Sequence, residues 1–218
     1  MECTMQGVIE TQHVEALETL LNGLCAVPKE RVRVHEFFLK SGPNLGSVSS
    51  ELQLLCDIGQ STPSWIVRHI GGVMRGPGAD QLSVVVRTMV QSSISKNALR
   101  FFYYLGYKLE YETLKTGFAF NFQRGSAKIS ITVITVNKIP KLHAIDEAVP
   151  VTPGMQLVQV TAPATADNYG EVAASITSFC DHLSPLLYLS KPSNTTGIVP
   201  TAEATAASLM SNTGMKTF

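Results

Sequence analysis

Hydrophobic and polar positions along this chain repeat with two periods, and the points where one period replaces the other divide it into elements. After a short apolar lead-in at residues 5–9, residues 12–27 place Val14, Leu17, Leu21 and Leu24 at helical spacing. Glu15, Glu18 and Asn22 lie opposite, and Pro28 closes the helix. Strand patterns follow over residues 29–40, 49–58, 65–70 and 80–91, separated by clusters of turn residues. In the fourth, Leu82, Val84, Val86, Thr88 and Val90 share one face. Residues 95–105 are helical again. Ser95 stands at the N-cap, Ile94 and Leu99 form a hydrophobic staple, and Gly106 ends the helix in a left-handed conformation. From Tyr107 the period returns to two. Tyr107, Leu109 and Tyr111 alternate with Lys108, Glu110 and Glu112, and Phe118, Phe120 and Phe122 form a further strand. After a turn at 123–126, Ala127, Ile129, Ile131 and Val133 begin another.

A connection carrying Pro140, Pro150 and Pro153 leads to a strand at 155–161 and a final helix at 167–184. That helix has Tyr169, Val172, Ile176, Phe179 and Leu183 on one face and ends at Pro185. The pattern gives eight strands and three helices, with the strands in runs joined by short turns, which is antiparallel grammar. Closure into a barrel removes the exposed edges that eight such strands would otherwise leave. The expected fold class is therefore mainly β with α (α+β): an antiparallel, roughly eight-stranded β-barrel with flanking helices. One domain spans residues 1–190. Residues 191–218, rich in Ser, Thr and Ala, read as a disordered tail with a short helix at 202–210.

Composition narrows the function classes. Charged residues make up 16% of the chain, against ~25% in typical domains, which hints that partners cover part of the surface. The formal charge is zero but uneven: residues 20–141 hold fifteen Lys and Arg against seven Asp and Glu, an excess of +8. Those cations are scattered singly, whereas nucleic-acid contact needs them clustered, so no direct nucleic-acid binding is expected. Cys3, Cys25, Cys56 and Cys180 are far apart and form no CxxC pair, which argues against a zinc site or a disulfide framework. Cys25 and Cys180 fall on apolar helix faces, where cysteine acts as a small hydrophobe. Without a basic N-terminal region or an apolar run near ~20 residues, the chain reads as soluble and intracellular.

Catalytic candidates are few. The glycine-rich stretch 71–78 matches neither GxxxxGK[ST] nor GxGxxG and reads as a hairpin loop. His35 and His69 lie in strands, His143 in the proline-bounded connection, and His182 at a helix end, where it suits the helix dipole. One arrangement merits weighing. Lys108-x-Glu110-x-Glu112 sets a cation and two carboxylates on one strand face, and tunnel-shaped triphosphatase barrels hold metal and phosphate with Glu-x-Glu-x-Lys on a strand. Here the order is reversed. Glu51, Asp57 and Asp80 are isolated, so no second acidic strand completes the several oxygen ligands a hard cation takes. With Tyr107, Leu109 and Tyr111 as the buried face, the charged face is left to solvent. No catalytic, cofactor-binding or metal residue is assigned, and a tunnel-type phosphohydrolase remains the alternative to a binding protein.

Longer phrases carry more information than any motif. Residues 6–18 (QGVIETQHVEALE), 33–36 (RVHE), 41–46 (SGPNLG), 95–100 (SKNALR), 105–109 (LGYKL), 136–138 (VNK) and 143–155 (HAIDEAVPVTPGM) are joined by 189–192 (LSKP) and 199–202 (VPTA). Spread over nearly the whole length, they resemble the Mediator complex subunit 18 family in its plant form. The resemblance implies a non-enzymatic coactivator subunit of the Mediator head module in the nucleus. It also implies a β-barrel with flanking helices that pairs with the related barrel subunit 20, is tethered by the C-terminal helix of subunit 8, and bridges gene-specific factors to RNA polymerase II. The family offers no short motif from which partner-binding residues can be assigned. The aromatic stretch between Phe101 and Phe122 serves equally as an apolar groove for a partner helix or as core.

Overall fold

The computed structural model describes residues 1–46 and 50–192. The expected tail, including its helix at 202–210, lies outside the described residues apart from Lys191 and Pro192. In chain order the main elements are β1 (Glu2–Glu10), α1 (Val14–Cys25), β2 (Glu30–Ser41), β3 (Glu51–Asp57), β4 (Ser64–Val73), the single turn α2 (Pro77–Asp80) and β5 (Val85–Ile94). They continue with α3 (Ala98–Tyr104), β6 (Tyr107–Arg124), β7 (Ala127–Lys138), the two-residue β8 (Val149–Pro150), β9 (Met155–Pro163) and α4 (Tyr169–Asp181). The sheet order is β6-β2-β3-β4-β5-β1-β9-β7, and β6 also pairs with β7. Eight antiparallel strands thus close into a barrel, with β8 added beside β7.

The strand number agrees with the sequence pattern for a reason the pattern concealed. Residues 107–124 form one 18-residue strand where two were expected. Strand β1, read as a lead-in, is a full member between β5 and β9. The segment ending at Ser190 lies across it and exchanges backbone hydrogen bonds between Gln6 and Ser190. Gly7 permits that approach: a Cβ there would sit 2.7 Å from the carbonyl oxygen of Tyr188. Gly117 does the same within β6, where a Cβ would come within 2.0 Å of the Val133 carbonyl on β7.

The main apolar core lies outside the barrel, between its wall and the helices. Ile129, Ile131 and Val133 of β7 and Val158 and Val160 of β9 are buried with Val172, Ile176 and Phe179 of α4 and with Leu17 and Leu21 of α1. The α4 face is the one its periodicity foretold. Helix α1 buries Leu17, Leu21 and Cys25 as expected, while Leu24 is exposed. A smaller core under α3 joins Phe37, Leu39, Leu54 and Cys56 to Ala98 and Phe102. Helix α3 starts after Asn97, so Ser95 is not its cap; the Ser95 carbonyl instead accepts from the Ala98 N–H. Gly106 has φ +98° and closes the helix as expected. All four cysteines are free and buried, and burial pushes the Cys180 thiol up to about 12. No helix among the described residues is long and apolar enough to cross a membrane.

Candidate functional site: the barrel lumen and the face of α3

The side chains that point inward reverse the usual pattern. Residues from all eight long strands line a cavity of about 260 Å³; most are polar, and Val34, Leu55 and Ile70 are among the apolar ones. They include Thr4 and Gln6 on β1, Ser130 and Thr132 on β7, and Gln159 and Thr161 on β9. Five charged residues reach it: Glu2, Glu36, Arg68, Arg87 and Lys115. One end is apolar, where Ile134, Val136 and Leu157 cluster with Val8 and Val32.

The lumen charges fall into two groups. Lys115 Nζ donates to Glu36 Oε1 at 2.9 Å, and Thr113 Oγ1 donates to Glu36 Oε2 at 3.1 Å, so that carboxylate is occupied. Glu2 stands directly across the ladder from Arg87. Burial raises the Glu2 pKa above the ordinary carboxylate value, opposed by the charges of Arg68 and Arg87. Burial also lowers that of Arg87, opposed by Glu2. Arg68 donates through Nη2 to Gln91 at 3.3 Å. The Nε–H groups of Arg68 and Arg87 are buried without a hydrogen-bond partner among the described residues. Three cations against two carboxylates leave an excess of +1.

The Lys108-x-Glu110-x-Glu112 arrangement is not brought together. Pairing of β6 with β2 shifts between Phe38 and Leu39, which oppose Tyr111 and Leu109, so Glu110 is the extra residue of a bulge. The bulge inverts the alternation. Tyr111 turns onto the inner side against Phe38, ring centroids 4.3 Å apart. Glu112 turns outward with Phe37 and is buried, not left to solvent. Glu110 stays exposed beside Lys40, 3.5 Å away. His35 lies outside the lumen as well: its Nε2 is 2.8 Å from Glu112 Oε2. His143 donates its backbone N–H to the same oxygen at 3.0 Å, and its Nδ1 lies 2.8 Å from Glu112 Oε1, an ion-pair distance without hydrogen-bond alignment. A buried carboxylate held by two histidines therefore latches the 139–148 connection onto the barrel wall, with Phe37 packed against both rings. His69 is exposed, and His182 Nδ1 meets the Ser178 carbonyl oxygen at 2.6 Å. Among the described residues no three His, Cys, Asp or Glu side chains are grouped to hold a metal ion. Residues 71–73 of the glycine-rich stretch are the bulged end of β4 rather than a loop, and Asp80 is in α2 rather than a strand.

The aromatic stretch is divided between core and surface. Phe102, Phe120 and Phe122 are buried, while Phe101, Tyr104 and Leu105 are exposed, Tyr104 at 76%. Leu45 adjoins this strip beside Gly106, and Leu142 is exposed next to the histidine latch. Burial, then the Glu112 charge, raises the Tyr103 pKa. Sequence reasoning missed the lumen residues altogether. The signal was present in pairs such as Ile129/Ser130 and Val158/Gln159, but alternation alone does not say which face is inside.

Fold and site together define a closed antiparallel β-barrel with a largely polar lumen and an apolar, helix-covered exterior. No protein-family model matches the chain. It is 68% identical over 214 residues to the Arabidopsis thaliana protein named Mediator of RNA polymerase II transcription subunit 18, covering 98% of this chain and 97% of that one. A chain in the Schizosaccharomyces pombe Mediator head module has the same fold, with TM-score 0.66 and 14% identity over 87% of this chain and 98% of that chain. The PH1819 protein of Pyrococcus horikoshii shares the barrel at TM-score 0.55 and 13% identity, covering 84% and 90% of the two chains. The chain belongs to the Mediator subunit 18 family, whose members are non-enzymatic components of a transcription-regulating complex.

Proposed function

We propose that this protein is a head-module subunit of Mediator that acts by binding proteins in the nucleus, bridging regulatory transcription factors to RNA polymerase II and the initiation machinery. The observation that carries this reading is the 68% identity over nearly the full length of a Mediator subunit 18. Its immediate partners are the barrel subunit 20 and the C-terminal helix of subunit 8, in a hetero-oligomer. The exposed strip of Phe101, Tyr104 and Leu105 with Leu45 suits the subunit 8 helix. Aromatic side chains exposed together on one helix bring large contact area with little entropy to lose on binding.

The experiment is affinity capture of the tagged full-length protein from nuclear extract at moderate salt, with co-purifying subunits identified by mass. Head-module subunits recovered in near-equal amounts are the expected outcome. Recovery of the protein alone overturns the proposal.

A further inference from the structure

The lumen presents buried donors that its own wall leaves unused. Arg68 on β4 and Arg87 on β5 line the same cavity, and Arg87 stands across the ladder from Glu2. Their Nε–H groups have no hydrogen-bond partner among the described residues. A buried guanidinium donor without an acceptor is costly, and guanidinium forks match the tetrahedral oxyanion geometry of phosphate. The remaining lumen carboxylate, Glu36, is held by Lys115 and Thr113 and is not available to either arginine. The surrounding wall supplies neutral hydroxyls in Ser130, Thr132 and Thr161. The apolar end formed by Ile134 and Leu157 lowers the local dielectric and strengthens any charge pairing above it.

We propose that the lumen binds a small phosphate-class oxyanion, gripped by Arg68 and Arg87. Size sets the class. A cavity of about 260 Å³ falls just below the ~300–1,000 Å³ typical of drug-sized ligands, so inorganic phosphate or pyrophosphate fits and a whole nucleotide does not. The site holds its ligand without cleaving it, because Glu2 is the one lumen carboxylate not engaged by a lysine, and a hard cation takes several oxygen ligands. Binding raises the stability of the barrel in proportion to ligand occupancy.

The test is calorimetric titration of the full-length protein with pyrophosphate and, separately, with phosphate, in a buffer free of other oxyanions. Melting curves are recorded over the same concentrations. Saturable one-to-one binding with a rising melting temperature is expected. Arg87→Met and Arg68→Gln should each weaken it at least tenfold, while Arg100→Gln on α3 should leave it unchanged. Circular dichroism confirms that each variant is folded, and Arg68→Lys, which keeps the charge but loses the fork, provides an intermediate. Two results overturn the proposal: no saturable binding at millimolar pyrophosphate, or equal binding by the wild type and a folded Arg87→Met variant. ATP in place of pyrophosphate should bind at least tenfold more weakly; equal affinity would place the site on the surface and overturn it as well.

Discussion

The two sides of the barrel wall are built from the same strands and hold it together by opposite means. Along β9, Val158 and Val160 face outward and are completely buried beneath α4, whereas Gln159 and Thr161 face the lumen. The outer side is stabilised by removing apolar surface from water, at roughly 25 cal/mol per Å². The inner side is stabilised by pairing charges and hydroxyls across a small cavity. The contrast shows that here the helices, not the barrel interior, shelter the main core. The barrel is a frame with a polar centre, and its stability rests on what covers it.

The sharpest way to break the comparison is from outside. Phe179 is 1% exposed on α4 and packs on Phe122 at 4.9 Å between ring centroids. Phe179→Ala should cost about 3–5 kcal/mol in chemical denaturation, the range for large aromatic truncations; a loss under ~1 kcal/mol would show that the helix-covered face is not the core. The latch comes next. Glu112→Ala removes a carboxylate bonded by both His35 and the His143 backbone, and should cost about 1.5–3 kcal/mol, the scale of a hydrogen bond to a charged group. Accelerated hydrogen exchange at residues 139–148 would accompany it.

Acidity separates the two sides further. Burial lowers the His35 pKa below 6.5, against the opposing pull of Glu112. Below pH ~6.5 the unfolded histidine takes up a proton that the folded one refuses, so stability falls as pH falls through that window. The lumen carboxylate works the other way. Glu2 titrates above its ordinary 4.5, so the folded state holds its proton to higher pH and this contribution is lost as pH rises through the folded pKa. Melting temperature measured from pH 7 to 5 should decline less steeply in His35→Gln than in wild type and more steeply in Glu2→Gln. Parallel curves would remove both assignments.

The smallest effects on stability belong to the lumen arginine and the surface strip. Arg87→Met, in oxyanion-free buffer, should shift stability by less than ~1 kcal/mol in either direction, because Arg68 still faces Glu2 and the variant sheds a buried Nε–H that has no acceptor among the described residues. Phe101→Ser with Tyr104→Ser should change stability by no more than ~0.5 kcal/mol, as exposed substitutions usually do, yet reduce recovery of subunit 8 from extract severalfold. Unchanged recovery would overturn the proposed docking of subunit 8 on this strip.

Much of this architecture was legible in the residues. The α4 stripe, the Gly106 stop and the hairpin between β6 and β7 all follow from local spacing and turn chemistry. Two things were not. The bulge at Glu110 depends on how β6 registers against β2, seventy residues away, and no local pattern records it. The polarity of the lumen was hidden because alternation fixes two faces without naming them, and the habitual assumption that the apolar face points inward is wrong for this barrel. The latch is a product of both: His35 and His143 meet Glu112 only once the bulge has turned it outward.

The position of β1 carries one more consequence, for the order in which the molecule is made. Residues 2–10 are made before the rest of the barrel, but nine of their backbone pairings are with residues 155–163, near its end. Until those emerge, the amino-terminal strand has only its three-residue pairing with β5, and the nascent sheet remains an open band. Closure is therefore a late, long-range event of the kind that slows folding. A chain cut short before β9 would leave β1 and β7 as raw edges, a form that quality control can distinguish from the finished ring.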